Sequence, residues 1–118
     1  LNPRKLEKLS GQILRCISGI LEKEISDPRL HGATVNRVLL SGDGSSARVY
    51  ISKLGSPEDE SECSMAMGSA LPFIRRRLAA MMETRTVPAL HFIYDSSIKE
   101  GEEVLTAIRK LGRDSAPD

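Results

Sequence analysis

Along the first twenty-five positions, apolar residues recur at three- and four-residue steps: Leu6, Leu9, Ile13, Cys16, Ile17, Ile20, Leu21 and Ile25. That spacing lays one apolar stripe along an α-helix. Arg4, Lys5, Lys8, Arg15, Glu22 and Lys23 fall on the outer face. Asn2 supplies an N-cap and Pro3 suits the first helical position. Pro28 disfavours helical geometry at Asp27 and lacks the N–H that a continuing helix would use. The helix is therefore expected to stop near Ser26, and the chain to turn through Arg29–Gly32.

The period then shortens. "TVNRVLLS" (34–41) and "ARVYISK" (47–53) are rich in Val, Ile and Leu and predict two strands. In the second, Ala47, Val49 and Ile51 alternate with Arg48, Tyr50 and Ser52. The turn formers at 41–46 make an antiparallel hairpin the expected connection. "GSPED" opens the next helix, with Ser56 as N-cap, Pro57 at the first position and acids where the helix dipole favours them. Cys63, Met67, Ala70, Ile74, Leu78 and Met81 continue at helical steps through Pro72, which predicts helix, kink at Ala70–Pro72, helix. "ALHFIY" (89–94) predicts a third strand. Ile98, Val104, Leu105, Ile108 and Leu111 mark a last amphipathic helix, capped by Ser96 or Ser97.

The order is α-β-β-α-kink-α-β-α, with no repeat and no interdomain linker. It predicts an α+β fold in which helices pack against a three-stranded sheet, the order of a type II KH-like domain with an added C-terminal helix. Residues 1–111 would form the domain and 112–118 a loose tail. At 118 residues, 40% of them hydrophobic, one core can be buried without disulfides or metal.

Net charge is only +1, but its distribution is uneven. Residues 1–55 hold nine bases and five acids, and 56–71 hold four acids and no base. Residues 72–91 hold four bases and one acid, and 92–118 hold four bases and six acids. Alternating segments of this kind can build one basic side. Four aromatic rings (Tyr50, Phe73, Phe92, Tyr94) and no Trp weaken any reading that needs rows of rings to stack unpaired bases.

Candidate chemistry is sparse. Cys16 and Cys63 have no CxxC context and fall on apolar helical positions, which predicts buried, reduced thiols and fits the cytosol. His31 and His91 lack metal-ligand spacing. No apolar run approaches the roughly 20 residues of a membrane span, and no signal peptide is visible. "YDSS" (94–97) has no identifiable base, and no acid–base–nucleophile set emerges, so a hydrolase is disfavoured. Arg75, Arg76 and Arg77 form the densest basic cluster, with no acid within five residues on either side. They suit either a solvated helix face or a bidentate grip on phosphate. Arg29, on a turn stiffened by Pro28, either meets a phosphate at low entropic cost or pairs with Asp27 or a helix-end carbonyl.

Four strings, in order, carry a further signal: "EISDPRL", "SSARVYISKLG", "ALPFIRRRLA" and "RTVPALHFIYDSSIKEG". They resemble the successive blocks of bacterial ribosome-binding factor A and together cover nearly the whole chain. The resemblance implies a cytoplasmic, monomeric assembly factor with a KH-like fold, no catalytic centre, no cofactor and no small-molecule substrate. Its partner would be the free small (30S) ribosomal subunit and its 16S rRNA. It would support late maturation, including 5′-end processing, and growth in the cold. On this resemblance Arg29, Arg75, Arg76, Arg77 and Arg85 are the candidate RNA contacts. One departure stands out. Ordinary KH domains carry a GxxG loop that clamps nucleotide backbone; the family has an Ala-x-Gly kink instead, and here Ala70, Leu71 and Pro72 occupy it. Proline offers no N–H to a phosphate. The alternative function is a protein-interaction module whose acidic residues Glu58, Asp59, Glu60 and Glu62 meet a basic ribosomal protein.

Overall fold

The computed structural model describes residues 2–53, 57–82 and 86–95. Helix α1 (Pro3–Lys23) begins as its sequence requires: the Asn2 side chain accepts the Lys5 N–H at 2.8 Å, with Pro3 at the first position. It ends a turn earlier than Pro28 alone demands. Glu24 is its C-cap, and Ile25–Asp27 are already outside the helix. A single 3-10 turn, Pro28–Leu30, follows, capped by the Asp27 side chain. Gly32 then adopts φ 81°, a left-handed conformation that a Cβ disfavours, and redirects the chain into β1 (Thr34–Leu40).

Strands β1 and β2 (Ser46–Ser52) form the expected antiparallel hairpin. Its turn is built around Asp43, whose Oδ1 accepts from Ser41 Oγ, the Ser45 N–H and Ser45 Oγ at 2.7–3.0 Å. These donors hold the Asp43 carboxyl down to about 2, the Ser45 N–H acting most strongly. Strand β3 (Ala89–Tyr94) lies parallel to β2, giving the sheet order β1-β2-β3 with β2 in the centre. A parallel neighbour requires a crossover, and α2 (Pro57–Met81) supplies it.

Both helices bury their stripes on one face of the sheet. Ile13, Ile17 and Ile20 of α1 meet Cys63, Met67, Ile74 and Leu78 of α2 over Val49 and Ile51, and all are essentially inaccessible to water. The α+β KH-like order is therefore present. The last helix, its caps, the domain boundary at 111 and the Ser56 cap lie outside the described residues.

Two burial expectations change, at Met81 and at Cys16. Helix α2 runs unbroken through Pro72, the position where the sequence places the kink. Buried side chains on both sides of Pro72 hold one continuous core register, and the proline ring lies on the exposed side. The turn it would crowd begins at Gly68, which is exposed, and its carbonyl can turn to water for the missing donor. Met81 is 41% exposed and Met82 only 4%, because the helix ends at Met81 and the chain turns Met82 inward. Cys63 is buried as expected, but Cys16 is only half-buried; neither is bonded to another cysteine.

Leu78→Ala should cost roughly 2–5 kcal/mol because it empties the centre of the core. Arg76→Ala, on the exposed side, should change stability by about half a kcal/mol or less. Denaturant melts of both variants test that ranking. Pro72→Ala should raise the melting temperature, since an interior proline costs about 3 kcal/mol relative to alanine in a helix. A lower melting temperature would mean that α2 is bent to fit the sheet and that Pro72 sets the bend.

Candidate nucleic-acid interface

At about 100° per residue, three consecutive arginines on α2 must point three ways. Ile74 and Leu78 are fully buried and fix the inward direction. Arg77 then lies on one flank, where its Nε donates to Glu24 Oε1 at 2.5 Å and ties α2 to the end of α1. Arg76 points away from the core and Arg75 lies on the other flank. Both are exposed, and neither has a hydrogen-bond or ion-pair partner among the described residues. The cluster therefore divides into one structural arginine and two free ones.

Arg29 is also engaged. Asp27 accepts from its Nε at 3.1 and 3.2 Å and from its Nη2 at 2.7 Å, while Asp27 Oδ1 also takes the Arg29 backbone N–H at 2.9 Å. The Arg29 carbonyl accepts from Lys53 Nζ at 3.0 Å, so the turn is tied to the end of β2. The Arg29 side-chain bond, before any other influence, lowers the Asp27 pKa; the same bond raises that of Arg29. Of the two roles open to Arg29 in the sequence, the ion pair with Asp27 is the one formed. Asp, Pro and Arg beside this helix end therefore act together on structure: Asp27 caps the turn and Pro28 shapes it. Arg29 locks onto the cap.

Ala70 and Leu71 pack against the core, so of the three kink residues only Pro72 faces solvent, and it has no N–H to give a phosphate. Arg85 lies outside the described residues. Of the acidic group at the start of α2, Glu60 and Glu62 are exposed and Asp59 is half-buried; the Glu58 side chain is not among those described. Among the described residues there is no cluster of three His, Cys, Asp or Glu able to hold a metal, and no helix long and apolar enough to cross a membrane.

The fold also gathers basic residues that form no run in the sequence. Arg37 pairs across the sheet with Tyr50, and its guanidinium carbon lies 4.0 Å from the centre of the Tyr50 ring. Arg48 is in the next row, beside His91 of β3. The alternation in β2 signalled that Arg48 and Tyr50 share a face; nothing in the sequence placed Arg37 with them.

A family model described as ribosome-binding factor A matches residues 5–108. A ribosome-binding factor A from Carboxydothermus hydrogenoformans is 34% identical over 115 residues, covering 98% of this chain and 92% of that protein. One from Thermomicrobium roseum is 36% identical over 102 residues, covering 86% and 79% respectively. The crystal structure of ribosome-binding factor A from Thermus thermophilus superposes with a TM-score of 0.68 at 29% identity, covering 75% of this chain and 93% of that one.

The Asp27–Arg29 pair predicts a pH dependence. Because the folded-state pKa of Asp27 is lowered, its stabilisation is present above the unfolded value and lost as pH falls through the folded one. Asp27→Asn keeps a cap acceptor but removes the charge. The variant should be less stable than the parent near pH 7, and the gap should close as pH falls below the ordinary carboxylate range and Asp27 in the parent protonates. Denaturant melts across that range give the readout; a constant gap would exclude the charge as its source.

Proposed function

Because the chain belongs to the ribosome-binding factor A family, we propose that it binds the free small ribosomal subunit and supports late maturation of 16S rRNA, including 5′-end processing. The family match across residues 5–108 supports this reading. Binding would favour one arrangement of the maturing RNA over others, a population shift that needs no chemistry of the protein's own. It would act as a monomer in the cytoplasm. The need for it would be greatest in the cold, where misarranged RNA escapes slowly.

Within this reading, Arg75 and Arg76 are the primary RNA contacts, because both are exposed and free of acidic partners among the described residues. Paired guanidinium–phosphate bonds would supply affinity and orientation, and the shape of the domain would select the site. Arg29 and Arg77 contribute differently from the free pair. Each already holds an acid, so meeting a phosphate would require sharing or breaking that bond. Arg85 completes the candidate set on charge and sequence position alone. The exposed Glu60 and Glu62 keep the protein-interaction alternative distinct, since they would meet a basic ribosomal protein through the opposite charge.

Sedimentation with mature and immature small subunits and with whole ribosomes tests the reading. The chain should travel with free small subunits. Arg75→Ala/Arg76→Ala should bind them more weakly and with a salt dependence flatter by roughly 1.4–1.8 in log–log slope, the share of two phosphate contacts. Wild-type affinity and slope in the double variant would move the contact elsewhere. Loss of binding on replacing Glu60 and Glu62 instead would favour the protein-interaction alternative.

A further inference from the structure

Successive residues of a strand face opposite sides, so the sheet has an outer face as well as the one the helices cover. The strand register writes its two central rows. Arg37, Tyr50 and Ile93 form one, and Leu39, Arg48 and His91 the other. Arg37, Arg48 and His91 are exposed. Neither row contains an acid. Asp95 and Asp43 lie beyond them at opposite ends of the sheet, where Asp95 Oδ2 accepts from Asn36 Nδ2 at 3.1 Å and Asp43 holds the hairpin turn.

Tyr50 is the ring on this face, yet it is only 6% exposed. It cannot itself receive a base. Its ring instead supports the Arg37 guanidinium, a planar cation held over it at 4.0 Å. A guanidinium stacked in this way keeps its opposite face and its N–H edge for a ligand, and being held already it loses less freedom on binding.

We propose that this sheet face binds an unpaired stretch of RNA, one base stacking on the Arg37 guanidinium and the neighbouring phosphates meeting Arg48, with His91 beside it. The inference rests on the reading of the chain as an RNA-binding ribosome factor and adds a second contact surface to it. Charge selects a polyanion, because two guanidiniums stand in rows without a carboxylate. Geometry selects single strands. A splayed base can lie on a guanidinium plane, whereas a duplex hides its base faces and presents backbone.

The test is binding of the full chain to a fluorescent single-stranded RNA of about ten nucleotides, and to a duplex of the same sequence. Arg37→Lys keeps the charge and removes the stacking plane. Both Arg37→Lys and Arg48→Ala should weaken single-strand binding by about tenfold, with the duplex little affected. Titrating the wild-type chain with the single strand should shift the Nε–Hε resonances of Arg37 and Arg48. That measurement carries the test if Arg37→Lys melts early. Unchanged single-strand binding by both variants, or shifts confined to Arg75 and Arg76, would overturn the proposal. So would full binding by Arg37→Lys with loss only in Arg48→Ala, the pattern of a charge-seeking partner such as an acidic peptide. The broader reading is separable. Should Arg75→Ala/Arg76→Ala alone lose the small subunit, only the sheet-face contact falls; a wild-type chain that binds neither RNA nor subunit sinks both.

Discussion

Parallel pairing of β2 with β3 is the constraint on which the architecture rests. Two parallel neighbours cannot be joined by a tight turn, so the chain must cross over the sheet between them. Helix α2 makes that crossing, and at 25 residues it is about 37 Å long. It spans the sheet with length to spare. Its apolar stripe must be buried along that length, and α1 supplies the other wall. Among the described residues the result is a one-sided sandwich. Cys63, Met67, Ile74 and Leu78 meet Ile13, Ile17 and Ile20 over the central strand, and the far face of the sheet stays clear of both helices.

That one-sidedness decides which charged groups are available. Arginines on the helix flanks lie near the ends of neighbouring elements and acquire partners there, as Arg77 does with Glu24. Arg29 is drawn to Asp27 by a turn only a few residues long. Arg75 and Arg76 point where nothing else among the described residues reaches. The same logic applies on the sheet, where Arg48 projects from the middle strand with no acid across from it on either side. Fold and interface are thus one problem. The residues free to meet a ligand are those the packing leaves without a partner.

Pro72 shows how local preference and packing divide the outcome. Locally, a proline ends or bends a helix. Here, buried residues on either side belong to one register, and the turn before the proline begins at the exposed Gly68. Packing keeps α2 in one piece. What proline still imposes is chemical. The position has no N–H, so a backbone–phosphate contact of the GxxG kind cannot form there.

The sequence by itself determined a great deal. The order of the described elements, the N-cap of α1, the hairpin, the third strand and most of the core stripes were legible, because periodicity and capping act over a few residues and need no distant partner. The free Arg75 and Arg76 and the flanking Arg77 were legible too, since a helical wheel follows from spacing alone. Tertiary structure decided the rest. Only packing could show that Glu24 takes Arg77, because those residues are far apart in the chain. Only the end of α2 in space could exchange Met81 for Met82. The register irregularity between Val35 and Arg37 leaves Val35 and Val38 on the core face and sends Arg37 to the other, onto Tyr50. A bulge of that kind is set by the pairing of two strands and not by either one, so no reading of β1 alone could have placed Arg37.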